Sequence, residues 1–364
     1  MENNKWIQFL VTFVISFIGG AVFLLIHMPI PWLLGPMVAV FLAARIGNMK
    51  LYWPVQLRNS GLIIVGYTIG LSFTKSALIQ IVHQLPSMLL MTVLTLAISA
   101  LFAILISKLT GVEYPTILTG SIPGGLSQMI TLGEEIKGLD LTVVTFLQVT
   151  RLMMIIFIVP LLITSPLFAV GDLHAVSSKM AAQWSNLFPD IIIFAVVGVV
   201  FALLGKKVKL PTPYLLGPII GTAIVNIGFV DGPSLPTTLT NLSQFLMGGY
   251  IGLLMKPEAL ENKGKIITFS LISGFILILT SLGLSFLLVT LHHVSNITSF
   301  LSVAPGGMDQ MGIIAHAVHA DLSIVTGYQL FRIFFIFFIV PPLLKWFFKR
   351  HYRKSKQHIE NTIE

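Results

Sequence analysis

Short polar clusters punctuate this chain, and between them lie apolar blocks long enough to cross a bilayer, for which about 20 residues suffice. In order they are a first apolar helix at 6–27, a Pro-capped helix at 32–47, a Gly-containing helix at 57–73 and a long helix at 84–107. A segment built around Pro-Gly-Gly follows at 115–136, then a last helix at 140–165. The same series recurs at 188–205, 213–229, 239–255, 265–290, 298–319 and 321–346. This pattern predicts an all-α integral membrane protein of about ten spanning helices.

The recurrence is visible residue by residue. Pro29-Ile-Pro31-Trp-Leu-Leu-Gly35-Pro36 returns as Pro211-Thr-Pro213-Tyr-Leu-Leu-Gly217-Pro218, an offset of 182, half of the 364 residues. Gly66 and Gly70 fall on Gly248 and Gly252, and Pro123-Gly-Gly-Leu-Ser-Gln-Met129 falls on Pro305-Gly-Gly-Met-Asp-Gln-Met311. After one deletion the run from Asp140 to Pro160 overlays Asp321 to Pro341 with 11 of 21 positions identical, where unrelated segments would share about one or two. The chain is an internal duplication. The glycine pairs suit close helix packing, and the Pro-x-Pro ends suit helix starts.

Whether the Pro-Gly-Gly segment crosses the membrane or returns to the side it left decides the relation of the halves, since five crossings per half invert them and six keep them parallel. The bias of Lys and Arg toward the cytoplasm discriminates. Five crossings with a cytoplasmic N-terminus put 18 basic residues inside and two, Lys75 and Lys179, outside, whereas six put 12 inside and 8 outside. The sequence therefore predicts two inverted repeats of about five spanning helices, each with a broken or re-entrant Pro-Gly-Gly segment. The corresponding division is a first membrane repeat at 1–165, a linker at 166–187, a second repeat at 188–347 and a basic cytoplasmic tail at 348–364.

Composition agrees with a bilayer and excludes several classes. Residues are 55% hydrophobic and 10% charged, with a mean hydropathy of +0.92, against about 25% charged in a soluble domain. The net charge of +8 sits in short connections and in the tail cluster Lys345, Lys349, Arg350, Arg353, Lys354 and Lys356, so it serves orientation rather than nucleic acid. No cysteine is present, which removes disulfides, thiol-linked haem and iron–sulfur clusters. The block at 6–27 has no small-residue cleavage site after a short core, and is expected to be a retained helix rather than a signal peptide.

Arg151 and Arg332 lie about eleven residues into the two last helices, where an arginine costs at least about 2.5 kcal/mol in lipid. Asp140, Val144, Gln148 and Arg151 share one helical face, as do Asp321, Val325, Gln329 and Arg332. Two roles are open: a structural one, pairing each guanidinium with Asp140 or Asp321 or with backbone carbonyls of the broken segment, and a binding one, in which the guanidinium fork takes a carboxylate or phosphate.

Gly and Pro oppose helix by about 1 and 3 kcal/mol, so Pro123-Gly124-Gly125 and Pro305-Gly306-Gly307 should interrupt it and expose N–H groups at a positive helix end. Matching interruptions in the two halves of a transporter point to its substrate site, which here adds Ser127, Gln128, Asp309 and Gln310. A plain turn is the other reading. Glu134 and His316 hold equivalent places, with Glu135 and His319 nearby, and these two together with Asp140 and Asp321 are candidates for ion coupling, or alternatively solvated loop ends. His316 and His319 lack a third ligand for a metal, and His292-His293 lies in a connection.

The duplicated pattern with Pro-Gly-Gly-x-x-x-Met at 123–129 and 305–311 resembles the bacterial membrane AbrB family, which carries an "AbrB duplication", over nearly the whole chain. The resemblance implies a bacterial inner-membrane location. Members are labelled ammonia monooxygenases or regulators of gene expression. A copper oxygenase needs clustered ligands, whereas the nine histidines are spread from His27 to His358. Gln128 and Gln310 stand where many members carry Glu, so the signature brings no ionisable group there.

The expected function is secondary transport of a small organic anion by alternating access, coupled to protons or sodium, with both termini cytoplasmic. No enzymatic activity, cofactor or metal is expected. The partners are the anion and the lipid bilayer, not nucleic acid, with homo-oligomerisation left open. The alternative is a membrane-bound sensor that regulates gene expression.

Overall fold

The structure, a computed structural model, describes residues 5–45, 47, 49–124, 129, 139–165, 168, 187–254, 263–344 and 347. Every element named among them is an α-helix. The first half contributes α1 (Lys5–Leu25), α2 (Pro31–Arg45), α3 (Val55–Ser72), α4 (Lys75–Thr110), α5 (Tyr114–Ser121) and α6 (Leu141–Ile163). The second contributes α7 (Asp190–Lys207), α8 (Pro213–Gly228), α9 (Thr237–Gly252), α10 (Lys263–His292), α11 (Asn296–Val303), α12 (Met308–Ala317) and α13 (Leu322–Phe338). Most of the linker and the basic tail, and Gly125, Ser127, Gln128, Glu134 and Glu135, lie outside the described residues.

Among the described residues, four helices are long and apolar enough to cross a membrane: Lys5–Leu25, Lys75–Thr110, Leu141–Ile163 and Ile266–His292. Their outer faces keep large apolar side chains exposed, among them Phe17, Leu24, Val82, Leu101 and Phe286. In water such faces would have to be buried; in a bilayer lipid covers them. The chain is a multi-pass helical membrane protein.

One helix is longer than its hydropathy indicates. α4 starts at Lys75 rather than 84, because the Thr74 hydroxyl accepts the Ala77 N–H (3.2 Å) and caps it, and because Pro86 sits inside the helix without ending it. Its C-terminus does follow local rules: Gly111 takes a left-handed φ of 75° and returns its N–H to the Ser107 carbonyl, a conformation that glycine adopts at no steric cost.

Packing sorts the helices by their place in the repeat rather than by half. α1 packs on α2 and α7 on α8, while α3 packs on α8, α2 on α9, and α3 on α9, making one bundle from the first three helices of both halves. The later helices make the second, in which α4 packs on α10, α5 on α6, α11 on α13, and α6 and α13 pack on the long helix of the opposite half. Exchanging the halves leaves this list unchanged, so the duplication persists in three dimensions.

Small residues permit the crossings in the first bundle. A Cβ on Gly66 would lie 2.7 Å from the Leu215 carbonyl oxygen, and one on Gly70 2.9 Å from that of Ile219. The equivalent Gly248 and Gly252 would meet the carbonyls of Leu33 and Met37 at 2.5 and 2.6 Å. Both bundles share one apolar core, in which Leu34, Ile69, Ile155, Leu216, Phe300, Met311 and Val325 are buried. They touch chiefly where α3 meets α12 and α13.

Candidate functional site at two helix breaks

Both breaks begin with a helix of eight residues, α5 or α11, about 12 Å long at 1.5 Å per residue. Each ends as the backbone turns extended, at Ile122 and Ala304, whose N–H groups donate to the Leu118 and Phe300 carbonyls. In the second half a new helix, α12, starts with Gly307 as its N-cap. Proline supplies no N–H and glycine no side chain, so the stretch between leaves carbonyls exposed inside the protein.

The polar stripe on the last helices takes up those carbonyls. Gln148 Nε2 donates to the carbonyls of Thr119 (3.1 Å) and Ile122 (2.9 Å). Arg151 donates to the carbonyl of Ile122 at 2.9 Å, to those of Ser121 and Gly124 at 3.4 Å, and to Gln148 Oε1 at 2.6 Å. Gln329 donates to Leu301 (2.8 Å) and Ala304 (3.1 Å). Arg332 donates to Ala304 and Gly306, both at 2.7 Å, and to Gln329 Oε1. Each guanidinium thus sits against the negative end of a short helix, and its Nη donors replace the intrahelical bonds lost at the break.

Among the described residues, then, the partners of both arginines are carbonyls and a glutamine rather than carboxylates. Asp140 and Asp321 are spent elsewhere, as N-caps. Asp140 Oδ1 accepts from the Thr142 and Val143 N–H groups (2.9 and 3.1 Å), and Asp321 Oδ1 from those of Ser323 and Ile324 (3.0 and 3.1 Å). Both arginines are buried, 6% and 4% exposed, each Nε is without a partner among the described residues, and Arg332 is near enough for its charge to act on Arg151.

The signature methionine has a packing role. A Cβ on Gly124 would lie 2.9 Å from Met129 Cε and 3.1 Å from Ile336 Cγ2, and one on Gly306 2.7 Å from Met311 Cε and 3.0 Å from Ile155 Cγ2. Each break is wedged between its own methionine and the last helix of the other half. Pro123 and Pro305 are buried beside the wedge.

The remaining candidates spread out. Asp309 and Gln310 stand at the start of α12, whereas His316 is half-buried at its far end with His319 exposed next to it. No three His, Asp or Glu side chains cluster as metal ligands among the described residues.

Two features carried no signal on their own. Thr116 and Thr298 hydroxyls accept the backbone N–H of Asp140 (3.2 Å) and Asp321 (3.1 Å); their recurrence at the 182-residue offset was the available clue. Ser87 Oγ bonds both Tyr328 OH and His292 Nε2 at 2.7 Å, joining α4, α13 and α10 across more than 200 residues of sequence, with no counterpart in the other half.

Fold and site together define a helical membrane protein in which two equivalent short helices each end against a buried arginine. The chain belongs to the AbrB family, whose model, described as "Transition state regulatory protein AbrB", matches residues 32–348. It is 25% identical over 333 residues to "Putative regulator AbrB" of Escherichia coli (strain K12), covering 92% of this chain and 94% of that protein. It is also 25% identical over 362 residues to "Uncharacterized protein YhjN" of Bacillus subtilis (strain 168), covering 94% and 93%.

Proposed function

We propose that this protein is a secondary transporter of a small organic anion, located in the bacterial inner membrane with both termini in the cytoplasm, and that it is not an enzyme. The observation that carries the reading is the pair Arg151 and Arg332: two buried guanidiniums at equivalent breaks, near enough for the charge of Arg332 to act on Arg151, each with an Nε unpartnered among the described residues. A protein that needed only to tie off carbonyls could do so without placing two like charges near each other. An anion between them relieves the repulsion, and guanidinium matches carboxylate or phosphate.

Inverted repeats are supported by the return of each broken segment. The hydrogen bonds from Asp140 to Thr116 and from Asp321 to Thr298 join the start of the last helix to the start of the short one. A segment that leaves and returns on one side adds no crossing, so each half crosses five times and the two breaks enter from opposite faces. Helices of about 12 Å bring them toward the middle of a core about 30 Å thick. Alternating access then follows from movement of the second bundle against the first, with α3 at the junction.

Uptake of labelled carboxylates and organic phosphates into proteoliposomes, with imposed sodium or pH gradients, tests the proposal. Gradient-driven accumulation of one such anion, absent from protein-free liposomes, is expected. No flux of any anion under any gradient would overturn it and favour the regulatory role in the name of the Escherichia coli relative.

A further inference from the structure

The two breaks are alike in their Pro-Gly-Gly sequence and unlike in charge. Leu126-Ser127-Gln128 follows the first Pro-Gly-Gly, and Met308-Asp309-Gln310 follows the second. The second therefore carries a carboxylate where its counterpart carries a hydroxyl.

In the second break two side-chain oxygens converge. A Cβ on Gly307 would overlap Gln310 Oε1 and lie 2.5 Å from Asp309 Oδ1, so both oxygens crowd the space that the missing side chain leaves open. Gln310 is 3% exposed and its Oε1 accepts no hydrogen bond among the described residues. Asp309 is half-buried, with its carboxylate set against the N–H groups at the start of α12 and against the Gln310 amide. Arg58 on α3 is close enough to act electrostatically on that carboxylate, and its guanidinium lies 5.2 Å from the centre of the Tyr250 ring. An unpaired, buried amide oxygen next to a carboxylate offers lone pairs and no proton, which is the demand of a hard cation.

We propose that Asp309 and Gln310 bind a sodium ion over Gly307, and that this ion is the one coupled to anion transport, an inference that rests on the transporter reading. One carboxylate partly offset by Arg58 suits a single positive charge, whereas calcium sites take six to eight oxygens and commonly several carboxylates. Asp309 Oδ1 and Gln310 Oε1 both face the space over Gly307, and a cation held there is shared by the two oxygens and satisfies Gln310 Oε1. The second break thus holds the driving ion beside the anion that the two arginines share.

The test requires no substrate and no flux. The purified full-length protein in detergent is melted in increasing NaCl, with KCl replacing it at constant ionic strength and pH. A saturable rise in Tm specific to sodium is expected. Asp309→Asn and Gln310→Leu should each raise the half-saturating sodium concentration at least about tenfold, equivalent to 1.4 kcal/mol, and Arg58→Gln should lower it. Absence of any sodium-specific rise in the unaltered protein overturns the proposal, as does an unchanged rise in monodisperse Asp309→Asn or a rise that follows pH alone. Anion flux without sodium binding would refute this site and leave the transporter standing; sodium binding without flux would do the reverse.

Discussion

The backbone N–H of Asp321 donates to the hydroxyl of Thr298 at 3.1 Å, so the chain that starts α11 is back beside its own starting point when α13 begins. Asp140 and Thr116 repeat the arrangement at 3.2 Å. Both bonds hold the start of a last helix beside the start of its short helix, and on the proposed topology the segment between them adds no crossing.

The proposed inversion has a direct consequence for equivalent positions. Lys108 and Thr290, separated by the repeat offset of 182 and both exposed, should face opposite sides of the membrane. Because the chain has no native cysteine, Lys108→Cys and Thr290→Cys can be labelled without background by a membrane-impermeant maleimide. Lys108→Cys should react only from the cytoplasm and Thr290→Cys only from outside; reaction from the same side would show parallel halves.

Removing the arginine clamp should separate stability from transport. Arg332→Ala strands the Gly306 carbonyl and leaves that of Ala304 to Gln329 alone, and hydrogen bonds to charged groups contribute about 1.5–3 kcal/mol each, so Tm in detergent should fall by more than for Gln329→Leu. Arg332→Lys keeps the charge but loses the fork. It should express and remain monodisperse while losing anion flux; equal loss of protein and flux in both variants would make the arginine purely structural.

Glycines at crossings and glycines in open space should behave oppositely. A Cβ on Gly217 would lie 2.6 Å from the Ala202 backbone, whereas one on Gly283 in α10 meets nothing within 4 Å. Backbone cannot step aside, so Gly217→Ala should abolish the monodisperse peak in size-exclusion chromatography. Gly283→Ala should leave it intact and raise Tm, since alanine favours helix over glycine by about 0.8–1 kcal/mol.

The buried hydroxyl bridge between Ser87 and Tyr328 should be measurable as a coupling. Ser87→Ala and Tyr328→Phe each leave a polar partner behind, and the pair together should cost less than the sum, with an interaction of about 0.5–1.5 kcal/mol in a double-mutant cycle on Tm. Strict additivity would mean the bridge contributes nothing.

Hydropathy and the repeat made the helical membrane class and most helices legible, because lipid demands long apolar runs and duplication tests each one twice. α4 was read nine residues short: Lys75, Gln80, His83 and Gln84 dilute its first turns, and Pro86 resembles a stop, yet Thr74 caps the helix and neighbouring helices tolerate the proline. The stripe Gln148–Arg151 was visible at helical spacing, but its partners were not. Backbone carbonyls carry no letter in a sequence, so carboxylate and carbonyl partners could not be told apart before the break at 119–124 was seen against α6. Contacts such as Ser87 with His292 depend on tertiary packing that no local pattern announces.

Counterflow is the most direct measure of the central claim, that one anion site between the two arginines opens alternately to each face. Proteoliposomes loaded with an excess of the unlabelled anion identified by uptake, and diluted into tracer, should accumulate label transiently above equilibrium, and Arg151→Lys and Arg332→Lys should each abolish the overshoot. Label that only equilibrates in the unaltered protein, or an overshoot of full size in both variants, would contradict it.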